Sequence, residues 1–202
     1  MGGPVSDEDV AESVRLTRFA IGAGKDDPDA LWMGAFVLTV FAGEHAAAES
    51  AIDRAITLNP NSAHAWHSRG FVLVFLNQPG PAIEALERAM RLSPLDPLGP
   101  AFKSVLAFAH SSAGRHEEAV EWADRALHEQ PRFDPAMSVK VVSCAHLGRI
   151  DEAREWLGRR LELQPKLTIA EWRARGGAVK FASPEILALI EDGLRLAGLP
   201  EE

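Results

Sequence analysis

Apolar residues recur three and four positions apart along this chain, in paired blocks separated by short breaks rich in proline, glycine and asparagine. That spacing predicts amphipathic helices, and the pairing predicts helix hairpins rather than strands. The clearest hairpin has a first helix from about Ala63 to Leu76, a break at Asn77-Gln78-Pro79-Gly80, and a second helix to about Leu92 that Pro94 stops. A proline there cannot continue the helix and biases the residue before it to extended geometry, which turns the chain into the next hairpin.

The hairpins repeat. Trp32 and Trp66 are 34 residues apart, as are Ala55 and Ala89, and Pro60 and Pro94. The second half keeps the interval of 34, pairing Gly114 with Gly148, Ala119 with Ala153, Trp122 with Trp156 and Pro131 with Pro165. A fixed period of this length is the mark of stacked repeats. Within the second unit, small residues at Gly70, Ala82 and Ala89 allow close helix approach, while Trp66 and Leu86 fill the space between.

The set Trp66, Gly70, Ala82, Leu86, Ala89, Pro94 resembles the tetratricopeptide repeat signature, with its small, large and proline positions intact. The resemblance implies an all-α, right-handed superhelical solenoid of antiparallel hairpins, about eleven helices here, and a role in binding proteins rather than in catalysis. Four full repeats follow, at 29–60, 61–94, 95–131 and 132–165. The first is about two residues longer than the standard unit if Gly34 holds the small position, and the third is lengthened by Leu95 to Pro100. The chain has no Tyr, and Leu73, His110 and Cys144 stand where the family often has one; Lys103 and Met137 replace the first-helix Trp in the last two repeats.

The ends are expected to differ. Residues 1–28 hold a partial repeat, Val10 to Ile21 reading as a second helix without its first, so the chain is expected to be cut from a longer protein. Residues 166–202 form a cap: Leu167 to Arg175 begins as a first helix, Gly176-Gly177 interrupts it, and Ser183-Pro184 opens a last helix to Ala197, with Gly198 as its stop. Asn59 to Ser62, Leu92 to Pro97, and the ending from Phe181-Ala182-Ser183-Pro184 to Pro200 are together similar to the carboxy-terminal repeat regions of bacterial class III adenylate cyclase-like and winged-helix regulator proteins. That resemblance implies a signalling setting behind a catalytic or DNA-binding domain. It implies no cyclase activity, because the metal-binding aspartates and mixed sheet of that domain have no counterpart here.

In a solenoid of this kind the first helices line the concave side, the default binding surface. Register gives its residues as His64, His67, Phe71, Val74 and Phe75, then Ser104, Phe108, Ser111 and Ser112, then Ser138, Val142 and His146. The chaperone-binding members of the family grip a peptide carboxylate with Lys, Arg and Asn at such positions, and this groove has none. An aromatic, hydroxyl and imidazole groove suits an uncharged peptide, a partner helix or the protein's own missing amino-terminal domain. The competing reading is that Phe71, Phe75 and Phe108 pack within the solenoid. A different role, dimerisation through an uncovered apolar edge, also fits the pattern.

Charge and candidate chemistry narrow the picture further. With 21 basic against 29 acidic residues the net charge is -8, which disfavours nucleic acid and anionic membrane surfaces as partners. No apolar run reaches the roughly 18 to 20 residues of a membrane span. The lone Cys144 cannot form an intramolecular disulfide, and no signal-type leader opens the chain, so a cytoplasmic location is expected. His64 and His67 share a helix face, yet structural zinc takes four ligands and no Cys or His cluster joins them, so no metal or other cofactor is expected. Cys144 and His146, two apart on a helix, point to different faces, and no acid, base and nucleophile share a register; no catalytic residue is assigned. Gly22-Ala23-Gly24-Lys25 reads as a turn, not a phosphate loop. Glu84 with Arg88, Glu121 with Arg125, and Glu155 with Arg159 are expected to form surface ion pairs worth about 0.3 to 0.5 kcal/mol each. Trp122 and Trp156 read as hairpin packing.

Overall fold

The computed structural model describes residues 6–24, 26–176, 181 and 183–202, so the expectations on residues 1–5, Lys25, Gly177 and Ala182 lie outside the described residues. Eleven α-helices and no strand occur among them: α1 (Asp7–Ala23), α2 (Pro28–Val37), α3 (His45–Leu58), α4 (Ala63–Phe75), α5 (Pro79–Leu92), α6 (Gly99–Ser112), α7 (His116–Glu129), α8 (Asp134–His146), α9 (Ile150–Leu163), α10 (Ile169–Gly176) and α11 (Pro184–Leu196). Helices α2 with α3, α4 with α5, α6 with α7, and α8 with α9 form four hairpins, and each new first helix packs on both helices of the hairpin before it.

Local chemistry sets the boundaries. Ser6 and Asp9 make a reciprocal capping box at α1, Asp27 caps α2 ahead of Pro28, and the Ser62 hydroxyl accepts from the Ala65 amide at α4. The second helices end in residues with non-helical backbone, Asn59, Ser93, Gln130 and Gln164, each directly before a proline. The turn within each hairpin holds one left-handed residue: Gly43, Asn77, Gly114 and Gly148. Glycine adopts that conformation freely, and Asn is the one other residue that visits it readily.

The expectation that the first repeat is about two residues longer rests on Gly34 holding the small position, a condition the structure does not meet; its first helix and turn, from Pro28 to Gly43, hold one residue more than Ala63 to Asn77. Residues Leu38–Ala42, which extend α2, form a π-helical turn, and a π-turn absorbs an inserted residue without breaking the helix. Gly34 packs on α1, where an added Cβ would stand 2.5 Å from Ile21, whereas Gly70 packs on Leu86 of its own second helix. The two glycines therefore serve different interfaces.

One expectation is corrected. Of the three second-helix pairs, Glu155 and Arg159 meet at 2.6 Å, while Arg88 and Arg125 lie over indole rings, 4.2 Å above Trp66 and Trp122. Arg159 also covers Trp156, at 4.3 Å. A guanidinium is weakly hydrated and flat, so an adjacent indole face competes well with an exposed carboxylate. The tryptophans are thus part of hairpin packing, as expected, with an arginine lid added.

Candidate functional site

Along the concave side the first helices contribute a row of aromatic rings. Phe36 meets Phe71 with ring centroids 4.8 Å apart, Phe71 meets Phe75 at 4.7 Å, and Phe181 of the C-terminal segment stacks on Phe75 at 4.4 Å and meets Phe108 edge-on at 5.9 Å. Offset and edge-to-face pairs of this kind fix one another's orientation and add to the burial of the rings. Phe71, Phe75 and Phe108 do both things the sequence offered as alternatives: they pack against each other and they present faces to open space.

That space is a cavity of about 480 Å³, lined from one side by α2, α4, α6 and α8 and from the other by Leu167, Trp172, Phe181 and Ile190. Seven of the expected groove residues line it, namely Phe71, Phe75, Ser104, Phe108, Ser111, Ser138 and Val142. The other five lie elsewhere. Val74 is buried in the core with Leu73, Leu86 and Leu106. His64 stacks on Trp32 at 5.2 Å, 3.6 Å from Asp96, and His67 stacks on Phe102 at 4.2 Å, so both imidazoles are spent on contacts between repeats. The Ser112 hydroxyl is buried away from the cavity, and His146 is held by the C-terminal helix.

The C-terminal helix breaks the repeat pattern. Successive first helices run parallel, Trp32 facing His64 and Phe36 facing Phe71. On α11, Leu189 lies over His146, which donates from Nε2 to its carbonyl at 2.8 Å, and Gly193 lies over Val142. Helix α11 is therefore antiparallel to α8, laid across the inner face instead of continuing the stack. The contact at Gly193 is close enough that a Cβ would come within 2.9 Å of the Val142 Cα, so only glycine fits. At the start of the helix, Asn77 donates from Nδ2 to the Ser183 hydroxyl at 3.2 Å. Asn77 is the one hairpin turn without glycine, and its side chain is the one that reaches this segment. Ser183 stands at the N-cap ahead of Pro184 as expected, but its hydroxyl bonds Asn77 and the Glu185 carboxylate and caps no backbone amide.

Magnitude decides whether this helix is a tenant or a wall. Ile186, Ile190, Leu194 and Leu199 are buried with Val141 and Val142 of α8 and Leu157 of α9. At about 1.5 to 3 kcal/mol for each buried side chain, lifting α11 away would forfeit on the order of 6 to 12 kcal/mol, as much as a domain's whole stability. Helix α11 is a fixed wall, and the binding space is what remains beside it.

Polar groups collect at one end of the cavity. Asp134 and Ser138 come from α8, and Arg160 and Gln164 from α9 and the turn after it. Arg160 is 5% exposed and reaches Asp134 through Nε at 2.8 Å and Nη2 at 3.5 Å. Reasoning from first helices alone missed Arg160, Trp172 and Phe181, and reading the register only in the second to fourth repeats missed Phe36 and Val40 of the first. A signal for Arg160 did exist: counting back five from each repeat-ending proline gives Ala55, Ala89 and Ala126, all fully buried, and then Arg160.

Cys144 is fully buried, and burial pushes its thiol up to about 12, so it stays protonated and unreactive. Among the described residues no group of three His, Cys, Asp or Glu side chains could hold a metal ion, and no helix is long and apolar enough to cross a membrane. Burial, with His64 close by, lowers His67 to about 4, and burial also lowers His110 and His116. A depressed histidine is neutral when folded, while the unfolded chain takes up its proton near pH 6.5. The unfolded state then binds more protons, so stability is full above about pH 6.5 and falls as pH drops toward 4. Urea unfolding of the wild type is expected to weaken between pH 7 and 5, His67 alone contributing about 2 kcal/mol, and His67→Gln should flatten the profile; an unchanged slope would place the loss elsewhere.

Residues 69–138 and 135–159 match family models described as tetratricopeptide repeat. No curated protein matches the chain. Among solved structures it is similar to PilW, a widely conserved type IV pilus biogenesis factor, at 17% identity and a TM-score of 0.71 over 93% of this chain and 86% of that one. It is also similar to TTC0263, a thermophilic tetratricopeptide-repeat protein of Thermus thermophilus, at 18% identity and 0.69 over 85% of this chain and 91% of that one. A third likeness is to YrrB, a tetratricopeptide-repeat protein with an unusual peptide-binding site, at 18% identity and 0.57 over 91% and 93%.

Proposed function

From a chain that folds as a tetratricopeptide-repeat solenoid, we propose a protein-interaction module that receives an extended, largely uncharged partner segment between its first helices and its own C-terminal helix. One observation carries this reading: a cavity of about 480 Å³, aromatic along α2, α4 and α6, stays open beside α11, which packs on α8. Its size and lining are those of a binding site, mostly apolar walls with a few polar groups to fix orientation. A cavity of that volume suits an extended stretch of a few apolar side chains better than a helix, which is about 10 to 12 Å across with its side chains. The resemblance of the C-terminal stretch to bacterial regulators supports a signalling setting, in which the held segment belongs to another protein or to a neighbouring domain.

A photoreactive benzophenone side chain at Ser138, inside the cavity, tests the placement against one at Glu121, exposed on a second helix. In cells, a discrete protein adduct is expected from position 138 and none from 121. Adducts from 121 alone would remove the cavity as the working surface.

A further inference from the structure

Arg160 lines the polar end of the cavity, and one of its donors is left unused by the fold. Arg160 sits where the first three repeats have a fully buried alanine, a position that elsewhere needs no polar group. Its guanidinium makes one good hydrogen bond, Nε to Asp134 at 2.8 Å, and a long one from Nη2 at 3.5 Å. Nη1 is sealed from solvent and has no hydrogen-bond partner among the described residues. A buried donor on a charged group left unmade is destabilising, and native proteins seldom keep one without a use for it.

Resting on the reading of the cavity as a segment-binding site, we propose that Arg160 is its specificity-determining residue: pivoting about the Nε bond to Asp134, it donates through Nη1 to a neutral carbonyl oxygen of the bound peptide segment. Asp134 selects for neutrality. It already balances the guanidinium charge, so a ligand carboxylate would meet Asp134 as a second negative group, while an amide carbonyl satisfies the donor and adds no charge. The apolar body next to that carbonyl lies along Val139, Val142 and Phe108, and the partner is thereby read as an internal apolar stretch rather than a chain terminus. This differs from a charge-based grip on a peptide end, since the cations of the first helices, Arg69, Lys103 and Lys140, do not line the cavity.

Three small probes separate the possibilities on the full chain, with binding followed by amide NMR shifts: 4-phenylbutanamide, 4-phenylbutanoate and 4-phenylbutylamine. They share the apolar body and differ in presenting a neutral carbonyl, a carboxylate, or an ammonium cation with no acceptor, the last run also at a pH above its pKa so that loss of the acceptor is read without the charge. The amide is expected to shift residues around Ser138 and Val142, the carboxylate to bind no more tightly, and the amine to bind roughly ten-fold or more weakly. Arg160→Met should lose a similar factor for the amide. Because that variant also unties Asp134, Arg160→Lys serves beside it: it keeps a cation for Asp134 but, with all its donors on one nitrogen, has no planar fork to hold Asp134 and reach the ligand carbonyl together, and should show the same loss. Equal binding of amide and amine, no loss in Arg160→Lys, or no binding of the amide at all would each overturn the role of Arg160. A carboxylate preference of ten-fold or more would overturn the neutral carbonyl. The adduct test at Ser138 stands apart, so a failed probe series with a positive adduct leaves the cavity in place and removes only Arg160.

Discussion

Leu194→Ala is expected to lower the unfolding free energy by about 3 kcal/mol and the melting temperature by several degrees, with the transition remaining cooperative. Leu194 is 0% exposed and lies among Ile186, Ile190 and Leu199 of its own segment, Val141 and Val142 of α8, and Leu157 of α9. Truncation there opens a void that the antiparallel contact cannot close, because Gly193 already sits as near to the α8 backbone as a helix can come. The consequence reaches function, since α11 supplies Ile190 to the cavity wall. If α11 were a removable occupant, the solenoid would melt at the same temperature with Leu194 shortened. Differential calorimetry of the two proteins decides between a wall and a tenant.

The repeat was legible because each of its positions carries a distinct local demand. The proline after every second helix, the small residues between helices and the period of 34 all act through sterics within one or two turns, and the observed hairpins fall on them. The concave register was legible in part for the same reason. Phe71, Phe75, Ser104, Phe108, Ser111, Ser138 and Val142 face the cavity because helical periodicity places them on one side of their helices. Val74, His64 and His67 share nearly that face, yet rotation between repeats turns them into contacts with their neighbours, and sequence spacing alone holds no information on that rotation.

What could not be read was the path of the chain after Pro165. Ser183 and Pro184 announce a helix start and Gly198 a stop, and α11 duly ends at Leu196. Nothing in that pattern says that the helix turns back antiparallel across α8. That depends on tertiary fit: the absent side chain at Gly193, the His146 bond to the Leu189 carbonyl, and the hydrogen bond from Asn77. The same fold-back brings Phe181 into the aromatic row and leaves Arg160 beside a cavity rather than under another repeat. Site residues from the second helices and from the cap were invisible to a rule that looks only at first helices.

The most direct test of the concave cavity as the binding surface is capture from cell lysate with the wild type and with a Phe71→Glu, Ser138→Glu double variant. Both positions line the cavity and neither belongs to a core cluster, unlike Phe108, which packs against three of them. Two carboxylates facing an aromatic cavity must be desolvated when an uncharged segment enters, and at several kcal/mol each the expected loss of affinity exceeds roughly a hundred-fold. Circular dichroism and thermal melting establish that the variant is as helical as the wild type. A protein held by the wild type and lost by the folded double variant is the result this account predicts; the same protein held equally by both would contradict it.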